Sequence, residues 1–288
     1  MKVVDFHSHN FPAKLAARAV AVMCEKLVPG VAAIGRGAFG PVGDATVSTQ
    51  LRDMDRAGVD VCVNCPVCTR PENFDAILRR AVAVRDAAAE GAAAQTRIVQ
   101  LGSIHPEDPD YAARIRLLRE NGIPGIKLHP NYQAVCLADP RLVPFFAAVR
   151  DAGLFVISHT GFDPGYVGAP SVAGPREIAA LLTAVPGLRF VAGHLGGECG
   201  HPPHATDVLL PFETCWIDTA VMYFHDDDPE ARRVVRTWPA DRMVFGTDYF
   251  WRDQAHLMAW VKELRPDPAE QERIFHGNAA RLLASAGG

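Results

Sequence analysis

Residues 3–11 read VVDFHSHNF, an apolar segment carrying Asp5, His7 and His9 at two-residue intervals. In a β-strand, residues two apart point to one face, so His7 and His9 aim side by side at one target. His129, His159, His194 and Asp248 recur in a comparable place, each closing a short apolar, β-branched run. One such histidine alone is more often a hydrogen-bonded core residue. Six polar residues at equivalent strand ends point instead to a shared centre. Imidazole nitrogens with a carboxylate form a site for one divalent metal ion, Zn²⁺ first, with Mn²⁺ and Fe²⁺ as alternatives.

The elements that must position these groups follow from periodicity. Strands are expected at Val3–His7, Val59–Cys65, Ile98–Ile104, Gly125–His129, Leu154–His159, Arg189–His194, Cys215–Thr219 and Met243–Asp248. Segments of helical period lie between them, including Val47–Ala57, Asn73–Glu90, Tyr111–Asn121, Arg141–Ala152, Arg176–Val185 and Gln254–Leu264, with a last helix near Pro268–Ala284. Strand–helix alternation implies parallel pairing through right-handed crossovers, and eight repeats favour a single (β/α)8 TIM barrel over an open sheet. In that ring the eighth strand lies beside the first and the fifth lies opposite. Asp248 therefore neighbours His7 and His9, and His159 reaches the same centre from across the barrel. Catalytic groups of barrels sit at this C-terminal end of the strands.

No linker or repeat divides residues 1–288, so one domain is expected. Residues from Pro12 to Asp44 exceed what a barrel loop needs and read as a lid over the site, with a helix-like stretch and then a glycine-rich one. The GRGAFG within it matches a dinucleotide pattern, but no strand leads into it and no helix starts there. The chain has 288 residues, is 49% hydrophobic and 22% charged, and carries a net charge of −4. Without a basic patch, nucleic acid is not an expected partner. Apolar runs are too short for a membrane span. The seven scattered cysteines suit free thiols, and no leading apolar segment precedes the first strand, so a cytoplasmic location is expected. In CVNCPVC, strand geometry puts Cys62 and Cys65 on opposite faces, which reads as buried thiols rather than a metal cluster.

With these residues in place the chain resembles the amidohydrolase superfamily, in the branch that includes aminocarboxymuconate-semialdehyde decarboxylase. The resemblance runs through DFHSH, GIKLHP, SHTG, GHLGG, FGTDYFW and GNAARLL. It implies His7, His9 and His159 as metal ligands, Asp248 as a further ligand and proton acceptor, and His194 as a polarising or proton-shuttling group. The implied activity is hydrolysis of an amide, ester or lactone of a small, carboxylated molecule. The alternative is a lyase, a non-oxidative decarboxylase or hydratase of an aromatic or unsaturated carboxylic acid. The HxH motif, rather than the Glu-x-His of some aromatic-acid decarboxylases, favours the hydrolase. Barrels of this branch are often homodimers.

Lys127 and His129 share a strand face; Lys127 is expected to contact substrate or a carboxylate, with a carbamylated Lys127 bridging two metals as the alternative, and His129 either meets substrate or serves a structural role before Pro130. Arg70 and Arg252 fall in loops on the active face, where either could pair with a substrate carboxylate. Glu198, His201 and His204 follow the sixth strand and are candidates to line the pocket or add a metal ligand.

Overall fold

The computed structural model describes residues 1–33, 40–89, 97–197, 206–220 and 228–284. Eight short strands run in the expected order: β1 (Val4–Ser8), β2 (Val61–Asn64), β3 (Ile98–Gln100), β4 (Gly125–Leu128), β5 (Phe155–Ser158), β6 (Phe190–Ala192), β7 (Cys215–Asp218) and β8 (Met243–Val244). Each paired strand lies parallel to its neighbour in sequence. The ladders form two arcs, β1-β2-β3 and β4-β5-β6-β7-β8. The ring expected from the sequence is present as strand order, but its ladder is interrupted at two seams.

Single bridges cross those seams, at Gly102 with Ile126 and at Ser8 with Tyr249. The Phe6 amide donates to Phe245 O at 2.7 Å, and the Asp248 amide donates to His7 O at 2.8 Å. β8 ends at Val244, the Phe245 amide turning to Ile274 O, and Asp248 further on takes a left-handed backbone, φ 55°.

Residues of β1, β4, β5 and β6 are buried throughout, as strands covered on both faces must be. Val4, Phe6, Phe155, Ile157 and Val244 form the inner core, joined by Ala279 and Leu282 of the last helix. A larger apolar cluster fills the space between strands and helices.

The helices are α1 (Ala13–Ala33), α2 (Val47–Ala57), α3 (Phe74–Ala89) and α4 (Tyr111–Glu120), followed by Val143–Asp151, Pro175–Ala184, Pro229–Thr237, Gln254–Leu264 and Asn278–Ala284. Asp228 caps Pro229–Thr237 by accepting from the Glu230 and Ala231 amides at 3.0 Å. Asn278, at the start of the last helix, does not cap it. The helical path already runs through Arg273–Gly277, so the side chain instead donates to Ala240 O and Met243 O and ties the last helix to β8. Among the described residues no helix is long and apolar enough to cross a membrane.

Close approach of β1, β7 and β8 depends on Gly246. A Cβ there would sit 2.9 Å from His7 Cβ and 3.3 Å from Asp218 Cβ. Gly246→Ala is expected to cost about 1–3 kcal/mol and to lower the melting temperature by several degrees. An unchanged melting curve would show that this junction is not tightly packed.

Candidate metal centre

The site begins with Asp218, a fully buried carboxylate at the end of β7. Its Oδ2 lies 2.7 Å from His7 Nδ1, and its Oδ1 accepts from the backbone amides of His194 (2.8 Å) and Ala220 (3.0 Å). Burial lifts the Asp218 carboxyl to about 6 against the pull of His194 and Lys127, so near neutral pH it is mostly an anion. An anion at that position places the proton of His7 on Nδ1 and leaves the Nε2 lone pair aimed into the site. His194 is oriented in the same way, its Nδ1 2.9 Å from Ala220 O. The sequence reading marked this strand but not Asp218, although CWID ends in a polar residue as the other strands do.

His7 Nε2 lies 3.6 Å from Asp248 Oδ1, and His9 Nε2 lies 3.0 Å from the same oxygen. One ligand atom from each of these residues lies within 4.8 Å of the others. Burial first, and then the nearby Lys127 charge, hold the His7 pKa well below its ordinary value, so the ring is neutral. Burial alone would raise the Asp248 carboxyl, but the hydrogen bond from His9 and the positive charge around the site outweigh it and keep a carboxylate there. A neutral imidazole lone pair and a carboxylate oxygen thus face one small volume, an arrangement that calls for a cation between them. Lys127 Nζ, 2.7 Å from His7 Nε2, supplies part of that charge, although its own burial lowers its pKa.

His159, expected in the same ligand set, lies elsewhere. It is not within the His7, His9 and Asp248 group; its ligand atom groups with those of His129 and Asp163. The His159 ring stacks on His129 at 4.1 Å and lies 4.5 Å from the His194 ring, which lies 5.2 Å from His7. The imidazoles therefore form one continuous wall across both arcs. His159 Nε2 is buried with no hydrogen-bond partner, a polar atom that lacks only an electrophile or donor. Asp163, missed in the sequence, caps the Gly165 amide and lies 3.4 Å from His129 Nε2. Burial raises its carboxyl to about 6.

Asp5 departs from the simple two-residue pattern. The β1 register shifts between Asp5 and Ser8, so Asp5 faces the helix layer while His7 turns to the centre. Asp5 Oδ2 instead accepts from Thr247 Oγ1 at 2.6 Å and Gln254 Nε2 at 2.7 Å, bracing the loop that carries Asp248.

These groups line a cavity of about 670 Å³. Its floor includes His7, His9, Lys127, His129, His194 and Asp248, while α1 provides Leu15, Val22, Met23 and Leu27 as an apolar wall. The covering role expected of residues 12–44 is thus taken by this helix; GRGAF (35–39) lies outside the described residues. Arg70 and Arg252 do not line the cavity. Arg70 is exposed at the turn before Pro71–Asn73, and Arg252 lies in the turn ahead of the Gln254–Leu264 helix. Arg80 on α3 and Arg18 on α1 line it instead, neither of them singled out from the sequence. Cys65, not Cys68, reaches the wall. Glu198, His201 and His204 lie outside the described residues.

The family described as Amidohydrolase matches residues 4–284. No curated protein matches the sequence. Among solved structures, an uncharacterised TIM-barrel protein from Bordetella bronchiseptica is 24% identical with a TM-score of 0.76, covering 100% of each chain. The 5-carboxyvanillate decarboxylase of Sphingomonas paucimobilis is 17% identical with a TM-score of 0.67, covering 98% of this chain and 99% of its own. A probable 2-pyrone-4,6-dicarboxylic acid hydrolase from Acinetobacter baumannii is 16% identical with a TM-score of 0.64, covering 99% and 100%. At these identities the likeness establishes the shared barrel fold.

If Asp218 sets the His7 tautomer, Asp218→Asn should weaken Zn²⁺ binding about 10- to 100-fold, read by competition with a chelator. Wild-type affinity in a folded variant would contradict this role.

Proposed function

We propose, from the premise that the chain belongs to the amidohydrolase family, that it is a metal-dependent hydrolase of an amide, ester or lactone. The observation that carries this reading is Asp248. It is a carboxylate held as an anion beside His7 and His9, at the floor of a cavity large enough for a small molecule. His7 Nε2, His9 Nε2 and Asp248 would hold one divalent ion, and His159, which groups with His129 and Asp163, would have to turn toward it to add a fourth donor. When bound, the ion supplies a water of lowered pKa and a Lewis acid for the substrate oxygen.

The remaining chemistry belongs to the chain. Asp248 stands unprotonated in the site, the state a proton acceptor needs, although the interactions that lower its pKa also weaken it as a base. His194, with Nδ1 engaged on Ala220 O, presents Nε2 to polarise the reacting group or to pass a proton to the leaving atom. Lys127 keeps positive charge beside His7 and opposes loss of the Asp248 carboxylate. The apolar side of α1 faces the cavity and would hold the body of the substrate. Zn²⁺ suits this set of nitrogen and oxygen donors, and Mn²⁺ or Fe²⁺ also fits it.

The same floor supports a second reading, decarboxylation or hydration of an aromatic or unsaturated acid. It is favoured by the extended apolar wall, which suits a planar ring. Product analysis separates the two. A panel of esters, lactones, amides and aromatic acids, followed by mass spectrometry and headspace CO₂, is expected to give hydrolysis products. Asp248→Asn should lower that turnover at least about 100-fold. Release of CO₂ without hydrolysis would overturn the hydrolase reading in favour of the lyase.

A further inference from the structure

Arg80, like Arg52, Arg189, Arg242 and Arg281, bonds only to neutral oxygens, but of these it alone lines the cavity among the described residues. Arg85, Arg97, Arg114, Arg141, Arg150 and Arg233 each pair with a carboxylate. Arg80 is half-buried in the cavity wall, and its hydrogen bonds go to amide oxygens: Nε to Gln100 Oε1 at 3.3 Å, and Nη2 to Asn10 Oδ1. No carboxylate faces it among the described residues, and its pKa is lowered by burial alone. A guanidinium has five N–H donors. Gln100 and Asn10 take one each, which leaves both Nη1 hydrogens and the second Nη2 hydrogen without an acceptor among the described residues.

The cradle around it is built and rigid. Asn64 Nδ2 donates to Gln100 Oε1 at 2.6 Å, Asn64 Oδ1 accepts from the Asn10 amide at 2.7 Å, and Asn10 Nδ2 donates to Gln50 Oε1 at 2.7 Å. Asn10, Asn64 and Gln100 stand at or just beyond the ends of β1, β2 and β3, and all three line the same cavity as the metal centre. Asn10 directly follows His9. Among the described residues lining this cavity, Asp248 is the one carboxylate, against Arg18, Arg80 and Lys127. Partial burial of an unpaired cation is costly unless a ligand brings the opposite charge.

We propose that Arg80 is the specificity residue of this cavity and receives a carboxylate of the substrate on its Nη1/Nη2 edge. Arg80 fixes the remote end of a small carboxylic acid while the reacting bond lies at Asp248 and His194. The assignment deepens the hydrolase reading, on which it rests for the reacting end only. It replaces Arg70 and Arg252 as the carboxylate partner. A paired N–H edge matches a carboxylate in a way that a lysine cannot, because two parallel bonds form at once.

The test is equilibrium binding of isophthalate, benzoate and the neutral isophthalamide to the purified protein, by calorimetry and thermal shift. Wild type, Arg80→Lys and Arg80→Gln are compared, with metal content and circular dichroism measured on each. Isophthalate is expected to bind wild type at least about tenfold more tightly than isophthalamide. Arg80→Gln should lose that preference, and Arg80→Lys should recover part of it, with metal content unchanged in both. Because Arg80 does not hold the metal, the preference should survive chelator treatment, which removes direct carboxylate–metal contact. Equal binding of isophthalate to wild type and Arg80→Gln, or failure of either acid to bind wild type, would overturn the assignment. Should the preference depend on Arg80 in a protein that takes up no metal, the metal-dependent reading falls and this one stands.

Discussion

The hydrogen bond between Asp218 and His7 is the constraint on which the rest of the site depends. A buried carboxylate is tolerable only when its lone pairs are satisfied, and Asp218 is satisfied by the His7 ring and the His194 and Ala220 amides. One side chain on β7 thereby sets the His7 tautomer and places the backbone of His194. Without it, His7 could present a proton to the centre rather than a lone pair, and the donor set would lose its most buried member. The cost of the arrangement is visible nearby: His194, Leu195 and Asp248 all adopt left-handed backbone, with φ of 54°, 56° and 55°. Such strain is of order 1–3 kcal/mol per residue and persists where the surrounding structure holds it.

Charge balance explains the character of the cavity. Lys127 and the imidazole wall surround Asp248, so the floor favours an anion there and a bound oxygen beside it. On the other side, α1 lays leucine, valine and methionine over the floor. Leu15 and Val22 are 56% and 57% exposed, while Leu27 and Val31 anchor the helix on Ala45, Tyr249, Phe250 and Trp251. Chemistry and containment therefore come from different parts of the chain, the strand ends and the long insertion after β1.

Much of this was legible because parallel strands end where polar residues begin. The bounds of α2 and of Gln254–Leu264 coincide with the periodicity, and His7, His9 and Asp248 meet as ring order requires. The rest depended on features that periodicity does not carry. A register shift in β1 sends Asp5 outward, which a two-residue count misses. Asp218 was hidden within an unremarked strand, since its role lies in the groups it receives rather than in any motif. Arg80 was hidden on a helix, because a helical face cannot be assigned to cavity or solvent from spacing alone. Arg70 and Arg252 sit in loops at the right end of the barrel, yet loop direction follows from turn geometry.

The most direct test of the account is the metal content of purified protein supplied with Zn²⁺ and Mn²⁺, beside His7→Ala/His9→Ala. The account predicts about one equivalent in wild type, lost in the variant while circular dichroism shows the fold intact. Wild-type protein that folds and takes up no metal would contradict it, leaving these histidines as acid–base and hydrogen-bonding groups alone.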